Sequence, residues 1–331
     1  MWGLPAKTLG RYAAAGVREL FEWQVHCLTA GGCSALRGGS LVYSAPTSGG
    51  KTMVAELLML RRLALRTRGG RGTIFFVVPF VSLAEEKAQH FRSTWADLGV
   101  GVRVYHGDDG STTPLTADVA VAVCTIERAN IMLNRLLDDG RGEQLSMVVV
   151  DEVHMMSDKQ RGFLLEVLLT KVKYLLGARV QVVAMSATLP NLADLSGWLG
   201  AALYSTDHRP VHLQVQVCHK RQLWDVTLAD GAAAESLSRE VAAVSGSAGG
   251  EADPEGWMGL CAETVRSQRS VLLFCPSRSR CEQCALRLAG LFSTLRPSGA
   301  SKEVQAAAVA SRMVGSCSPT RLRRNHRVAH R

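Results

Sequence analysis

The sequence predicts a doubly wound α/β domain, an open parallel sheet with helices on both faces, followed by the start of a second unit of the same kind. Three observations lead to that reading. Short β-branched runs recur between Leu41 and Met185, each apolar almost throughout instead of alternating, as strands buried on both faces must be. Longer amphipathic stretches of crossover-helix length separate them. A glycine-rich loop, Ala45–Thr52, stands between the first run and the first stretch, where sheets of this class bring their backbone close to a ligand.

In chain order, the strands are Leu41–Ser44, Thr73–Val78, Val119–Cys124, Met147–Val150 and Val180–Met185. The helices between them are Thr52–Leu65, Leu83–Leu98, Arg128–Leu137 and Gly162–Leu176. The alternation lapses near Asp207–Leu213, at Arg209-Pro210, since proline withholds a backbone N–H and disfavours helix in the residue before it. Ala229–Gly256, rich in Ala, Ser and Gly, reads as a mobile insertion or loop. Order is expected again in a helix near Trp257–Val265, a strand at Ser270–Phe274 and a helix at Ser279–Phe292. The expected organisation is therefore a first domain over 1–210, the start of a second over 211–296, and a basic, disordered tail over 297–331.

Composition bounds what such a chain does. With 331 residues, 47% of them hydrophobic, it can build two cores, which excludes a disordered or fibrous class. It contains no run of about 18 apolar residues and no leader pattern at Met1–Arg18, so a soluble, intracellular protein is expected and a membrane partner is not. Nine scattered cysteines suit a reducing compartment. Cys281 and Cys284 form a C-x-x-C without a second pair at zinc spacing, so no structural metal is expected. The net charge is +9, but six arginines after Ser311 supply most of it and the body is only mildly basic. A polyanionic partner is suggested weakly.

The chemistry is carried by three segments, each directly after a strand. Ala45-Pro46-Thr47-Ser48-Gly49-Gly50-Lys51-Thr52 has the P-loop pattern: backbone N–H groups and a helix mouth face phosphates, Lys51 adds a charge, and Thr52 offers a hydroxyl to magnesium. Asp151 and Glu152 follow Met147–Val150. There Asp151 can reach the metal while Glu152 positions or deprotonates an attacking water. Ser186-Ala187-Thr188 follows the last strand, and short hydroxyls at a strand tip can bond the acidic pair and sense the terminal phosphate. Taken singly, an acidic pair at a strand end is as readily a solvated turn, and Ser or Thr there is as readily a helix cap. The order of the three and their placement after strands favour one site.

These motifs resemble those of superfamily 2 helicases of the Asp-Glu-x-His kind, and more closely the Ski2-like group and its polymerase-theta-type helicase regions. Tyr43–Thr52, Pro79-Phe80-Val81-Ser82, Cys124–Asn130 and Val271–Ser277 carry the likeness. The resemblance implies a RecA-like P-loop domain that uses ATP and Mg2+ as an ATP-dependent DNA helicase or translocase in double-strand-break repair, in the nucleus. Gln24, in Phe21-Glu22-Trp23-Gln24, matches the family's adenine-reading glutamine. Pro79, Ser82, Thr125, Glu127 and Arg128 match segments that hold the backbone of one strand of single-stranded or partly unwound DNA. His154 matches a position coupling nucleotide state to that surface, with Ser186 and Thr188, while Arg161-Gly162 looks like scaffold. The family's later motifs, with their arginines, are absent, which implies an incomplete motor. Two other readings stay open, a non-catalytic nucleotide-dependent binding module and a Ski2-like RNA helicase, and oligomeric state is not readable.

Overall fold

The structure, a computed structural model, describes residues 5–66, 72–107, 115–116, 118–187, 191–229, 232–241, 253 and 255–294. The chain divides into two compact units, Met1–His212 and Leu213–Arg331. The expected tail over 297–331 lies outside the described residues.

The first unit is built on seven strands: β1 (Leu41–Ser44), β2 (Thr73–Val78), β3 (Gly101–Tyr105), β4 (Val119–Thr125), β5 (Leu145–Val150), β6 (Gln181–Ser186) and β7 (Ala202–Ser205). They form one sheet in the order β3-β4-β2-β5-β6-β1-β7, and every pairing in it is parallel. Helices α1 (Ala6–Ala14), α2 (Glu22–Cys33), α3 (Lys51–Arg66) and α4 (Val81–Thr94) pack on one face; α5 (Ile126–Asp138), α6 (Gly162–Lys171) and α7 (Leu192–Leu199) pack on the other.

Consecutive residues of a strand enter different cores, which explains the unbroken apolar runs. In β2, Ile74, Phe76 and Val78 join the first core, whereas Phe75 and Val77 join the second. A polar residue at any of these positions would be stranded in one core or the other. The strands that the sequence does not announce, β3 and β7, are the sheet edges. There one side is open to solvent, so Arg103 and Tyr204 are tolerated and the run is broken.

Local signals set the helix starts. The Thr125 hydroxyl accepts from the N–H of Arg128 and caps α5. Phe21 N–H donates to the Gln24 side chain at the start of α2. The stretch expected as one helix over Gly162–Leu176 is α6 continued by a π turn, Val172–Leu176.

In the second unit, β8 (Gln216–His219), β9 (Gln222–Ala229) and β10 (Ala232–Glu240) make a three-stranded antiparallel sheet. Helices α8 (Trp257–Arg266) and α9 (Arg278–Thr294) follow, close to the two expected. Two expectations are corrected here. Part of the expected loop Ala229–Gly256 is β10, paired along its length with β9; its small residues hid it because a ladder held by backbone hydrogen bonds needs no apolar periodicity. Residues 242–252 lie outside the described residues. Conversely, Ser270–Phe274 is not a strand: Leu272 is 79% and Phe274 87% exposed, because no ladder partner flanks the run among the described residues.

Candidate active site

The predicted chemical residues gather beyond the C-terminal ends of β1, β2, β4, β5 and β6, the edge where parallel sheets hold ligands. The loop after β1 is held in an unusual conformation. Ser48 has φ 61° and Gly50 φ 85°, a region that only glycine enters without strain. A Cβ on Gly49 would lie 2.8 Å from the Pro46 carbonyl, and one on Gly50 would lie 2.6 Å from Gln24 Nε2. The loop is therefore an amide cradle that side chains would fill.

Gln24 and Trp23 hold that cradle from α2. Gln24 Nε2 donates to Gly50 O at 2.9 Å, its Oε1 accepts from Phe21 N, and Trp23 Nε1 donates to Gly49 O at 3.1 Å. Gln24 is buried, while Phe21 stands exposed beside His208, with ring centroids 5.4 Å apart. Gln24 thus contacts loop backbone directly. Trp23, which in sequence reads only as core, contributes a second tether through its indole N–H.

Lys51 opens α3 and curls back, donating from Nζ to Ala45 O at 3.0 Å and Pro46 O at 3.2 Å. Burial lowers its pKa, and the nearby carboxylates of Glu152 and Asp151 work against that shift. The lysine and the acidic pair are thus near enough for their charges to act on one another, although β6 lies between their strands. Asp151 extends the ladder past β5 by donating N–H to Val77 O at 2.9 Å, and its Oδ1 accepts from Glu152 N. Burial first, then the Glu152 charge, raises the Asp151 pKa.

Glu152 sits at φ 54°, a left-handed conformation costing a non-glycine residue about 1 kcal/mol or more. Its Oε2 is buried and makes no hydrogen bond, although His154 Nδ1 lies 3.3 Å away, within ion-pair reach but poorly aligned. The same His154 Nδ1 is 3.3 Å from Ser186 Oγ, and Ser186 O accepts from Ala45 N at 3.2 Å. The acidic pair, the histidine, the tip of β6 and the start of the cradle thus form a continuous chain of contacts. Thr188 lies outside the described residues.

The segments expected to hold a strand divide differently. Phe80, Val81 and Ser82 are exposed, with Pro79 buried behind them. Thr125 and Arg128 are buried, at 5% and 4% exposure, with the Thr125 hydroxyl engaged as the α5 cap. Glu127 is half-buried and paired with Arg161, Nε to Oε1, at 3.2 Å.

Arg161 is the residue undervalued by the sequence. Its guanidinium also donates from Nη1 to Pro79 O and lies 5.3 Å over the Phe80 ring, while its N–H is held by Asp158 Oδ1 at 2.8 Å. It ties the turn after the acidic pair to the exposed segment at Phe80 and to Glu127 on α5. A Cβ on Gly162 would sit 2.2 Å from Met156 O, so that turn packs tightly; an Arg-Gly pair before an apolar helix gives no hint of this in sequence. Lys87 on α4 is the other omission. Its Nζ is 3.5 Å from Thr52 Oγ1, and its charge acts on both Lys51 and Asp151, yet Glu-Glu-Lys on an amphipathic helix reads as a solvated face.

The cradle, the lysine, Thr52 and Asp151 fit a magnesium nucleotide: the glycine positions leave room that a Cβ would take, and the donor set is hydroxyl and carboxylate oxygen, as magnesium prefers.

Comparison with known proteins agrees with this geometry. Residues 32–195 match the DEAD/DEAH box helicase family. The chain is 42% identical to mouse DNA polymerase theta over 308 residues, 89% of this chain and 11% of that protein. It is 35% identical to human Helicase POLQ-like, covering 86% of this chain and 25% of the relative. It is 33% identical to ATP-dependent DNA helicase Hel308 of Thermococcus kodakarensis, covering 85% and 22%. The chain thus spans a quarter or less of the length of these three relatives. The DUF1998 helicase MrfA bound to DNA superposes with TM-score 0.62 at 14% identity, covering 92% of this chain and 42% of that one, a likeness of fold. Motif order, sheet topology and relatedness agree that residues 32–195 belong to a DEAD/DEAH box helicase domain.

Proposed function

We propose that this chain supplies the ATP-binding and ATP-cleaving lobe of a nuclear DNA helicase or translocase acting in double-strand-break repair. The observation that carries the reading is the amide cradle of Thr47–Lys51 sharing one site with Asp151 and Glu152. DNA is favoured over RNA by the names of the relatives, DNA polymerase theta and a DNA helicase.

In this reading the cradle N–H groups and Lys51 Nζ bind the triphosphate, Lys51 exchanging its two carbonyl partners for phosphate oxygens. Thr52 and Asp151 would hold Mg2+, which when bound supplies positive charge against the phosphates. Glu152 orients the attacking water and accepts its proton at Oε2, the buried oxygen without a hydrogen bond. His154 reports the state of Glu152 to Ser186. Gln24 fixes the cradle and the adenine side of the site. Phe80, Val81 and Ser82 form the exposed strand-contacting surface, and Pro79, Thr125, Glu127 and Arg128 shape it from behind.

For these 331 residues we expect Mg-ATP binding, weak DNA contact and slow or absent hydrolysis. Titration of a fluorescent ATP analogue with Mg2+, followed by single-turnover hydrolysis with and without single-stranded DNA, tests this. A folded chain that fails to take up nucleotide at millimolar concentration refutes it. Equal binding of matched RNA and DNA strands would favour the RNA-helicase reading. Hydrolysis that stays absent while nucleotide still gates DNA affinity would favour a binding module.

A further inference from the structure

At the opposite edge of the first sheet from the candidate site lies a cavity of about 380 Å³ that none of the chemistry above uses. Arg37, Arg61 and Arg62 line it together with Gln181, the first residue of β6. No carboxylate is among its lining residues. Its walls are fixed: Gln181 Nε2 donates to Ala35 O and Gly39 O, both at 2.8 Å, and Arg61 Nε donates to Leu36 O. These bonds pin the turn that carries Arg37. Gly38 occupies that turn at φ 100°.

Arg62 is the informative member. Its Nε is inaccessible and makes no hydrogen bond, and burial lowers the guanidinium pKa with no acid nearby to oppose it. An arginine near a helix C-terminus ordinarily rests against carbonyls; this one leaves a donor without an acceptor beside a cavity. Three guanidiniums lining one half-open space, without counter-charge among the described residues that line it, call for an anion, and the planar Nε–Nη edge matches two oxygens of a phosphate. The volume lies at the small end for ligand pockets.

We propose that this cavity is a binding site for a compact phosphate-bearing anion, of pyrophosphate or small phosphomonoester size, held by Arg37, Arg61 and Arg62. It is independent of the nucleotide reading, and a small turn of the Arg62 guanidinium would present its free edge to the ligand.

The test is calorimetric titration of the full chain with inorganic pyrophosphate, in the wild type, Lys51→Ala, Arg62→Gln and the double variant. The proposal expects an Arg62-dependent component that persists in Lys51→Ala and weakens about tenfold or more in Arg62→Gln. Arg62→Lys should give an intermediate loss, since it keeps charge but not the planar edge. Unchanged thermal melting and Mg-ATP uptake in Arg62→Gln would show that the variant folds. Should Arg62→Gln melt lower, Arg37→Gln at the exposed rim provides the second variant and must also weaken pyrophosphate. Binding that depends only on Lys51, or that Arg62→Gln and Arg37→Gln leave intact, overturns the site. Displacement of pyrophosphate from the Arg62-dependent component by a short single-stranded oligonucleotide would overturn the small-ligand assignment in favour of a nucleic-acid backbone contact. If Lys51→Ala leaves Mg-ATP uptake unchanged while Arg62→Gln weakens pyrophosphate, the nucleotide reading fails and this one stands.

Discussion

Met147–Val150 and Val271–Phe274 are two four-residue apolar runs of nearly the same character, yet they have opposite fates. The first lies in β5, between β2 and β6, with every residue at 1% exposure or less. The second forms no strand, and its residues are 38% to 87% exposed. Their composition makes both eligible for a buried parallel strand. Among the described residues, only the first has neighbours on both sides to take its backbone N–H and C=O groups and helices to cover its two faces. Burial of such a run is thus a property of the assembled sheet. The difference is also functional, since pairing with Val77 and Gln181–Ala184 is what aims Asp151 and Glu152 into the site.

The largest contrast is expected from a charge placed in each run. Val149→Asp should destabilise the first unit by about 4 kcal/mol or more, because an unpaired carboxylate would sit in a closed core. Leu272→Asp should change stability by no more than about 0.5 kcal/mol. Chemical denaturation followed by tryptophan emission, with Trp95 in the first unit and Trp224 and Trp257 in the second, measures both; equal losses would mean that the second run is also covered in solution.

The next test concerns what the first run carries. Lys51→Ala should weaken Mg-nucleotide binding roughly a hundredfold, on the order of 3 kcal/mol for a charge-assisted phosphate contact, and leave the melting temperature near that of the wild type. Equilibrium binding of a fluorescent analogue is the measurement, and an unaltered affinity would detach Lys51 and its cradle from any nucleotide role.

A smaller effect is expected at Arg161, the link from the turn after β5 to the exposed Phe80 segment and to Glu127. Arg161→Ala should cost about 1 kcal/mol of stability, since its ion pair and ring contact are partly exposed. It should lower single-stranded DNA affinity several-fold while nucleotide affinity is kept. Parallel loss of both affinities would instead indicate general loosening.

The smallest is a pH effect at the end of β5. Burial raises the Asp151 pKa above its value in the unfolded chain, so the folded state holds this proton more tightly. Stability from this group is therefore greatest below the unfolded value and declines as pH rises through the window up to the folded value. Asp151→Asn should accordingly melt higher than the wild type at neutral pH, with the gain shrinking as pH falls toward about 4. Melting curves across that range check the sign, and a gain independent of pH would remove the charge explanation.

The sequence showed most of the first unit because its central strands are buried on two faces and have little compositional freedom. Leu41–Ser44 and Thr73–Val78 were legible to the residue for that reason. The edge strands β3 and β7 were not, since one open side relaxes the pattern, and β10 was hidden because Ala, Ser and Glu carry no period. Within the site, the glycines and acids were legible because phosphate and metal chemistry restricts residue type. The interior placement of Thr125 and Arg128 was not, because hydroxyls and guanidiniums serve caps, ion pairs and ligands alike.

Taken alone, the sequence determined the class of the first domain and the site's ingredients: an amide loop, a lysine, and two carboxylates at a strand end. Each depends on local requirements, a backbone that can bend at glycine or a strand that must be apolar on both sides. Tertiary structure alone decided that Glu152, His154 and Ser186 touch, that Arg161 binds Pro79 and Glu127, and that Val271–Phe274 stays outside any sheet. Those outcomes hinge on which distant segments arrive as neighbours, and a contact across tens of residues leaves no local pattern in the chain.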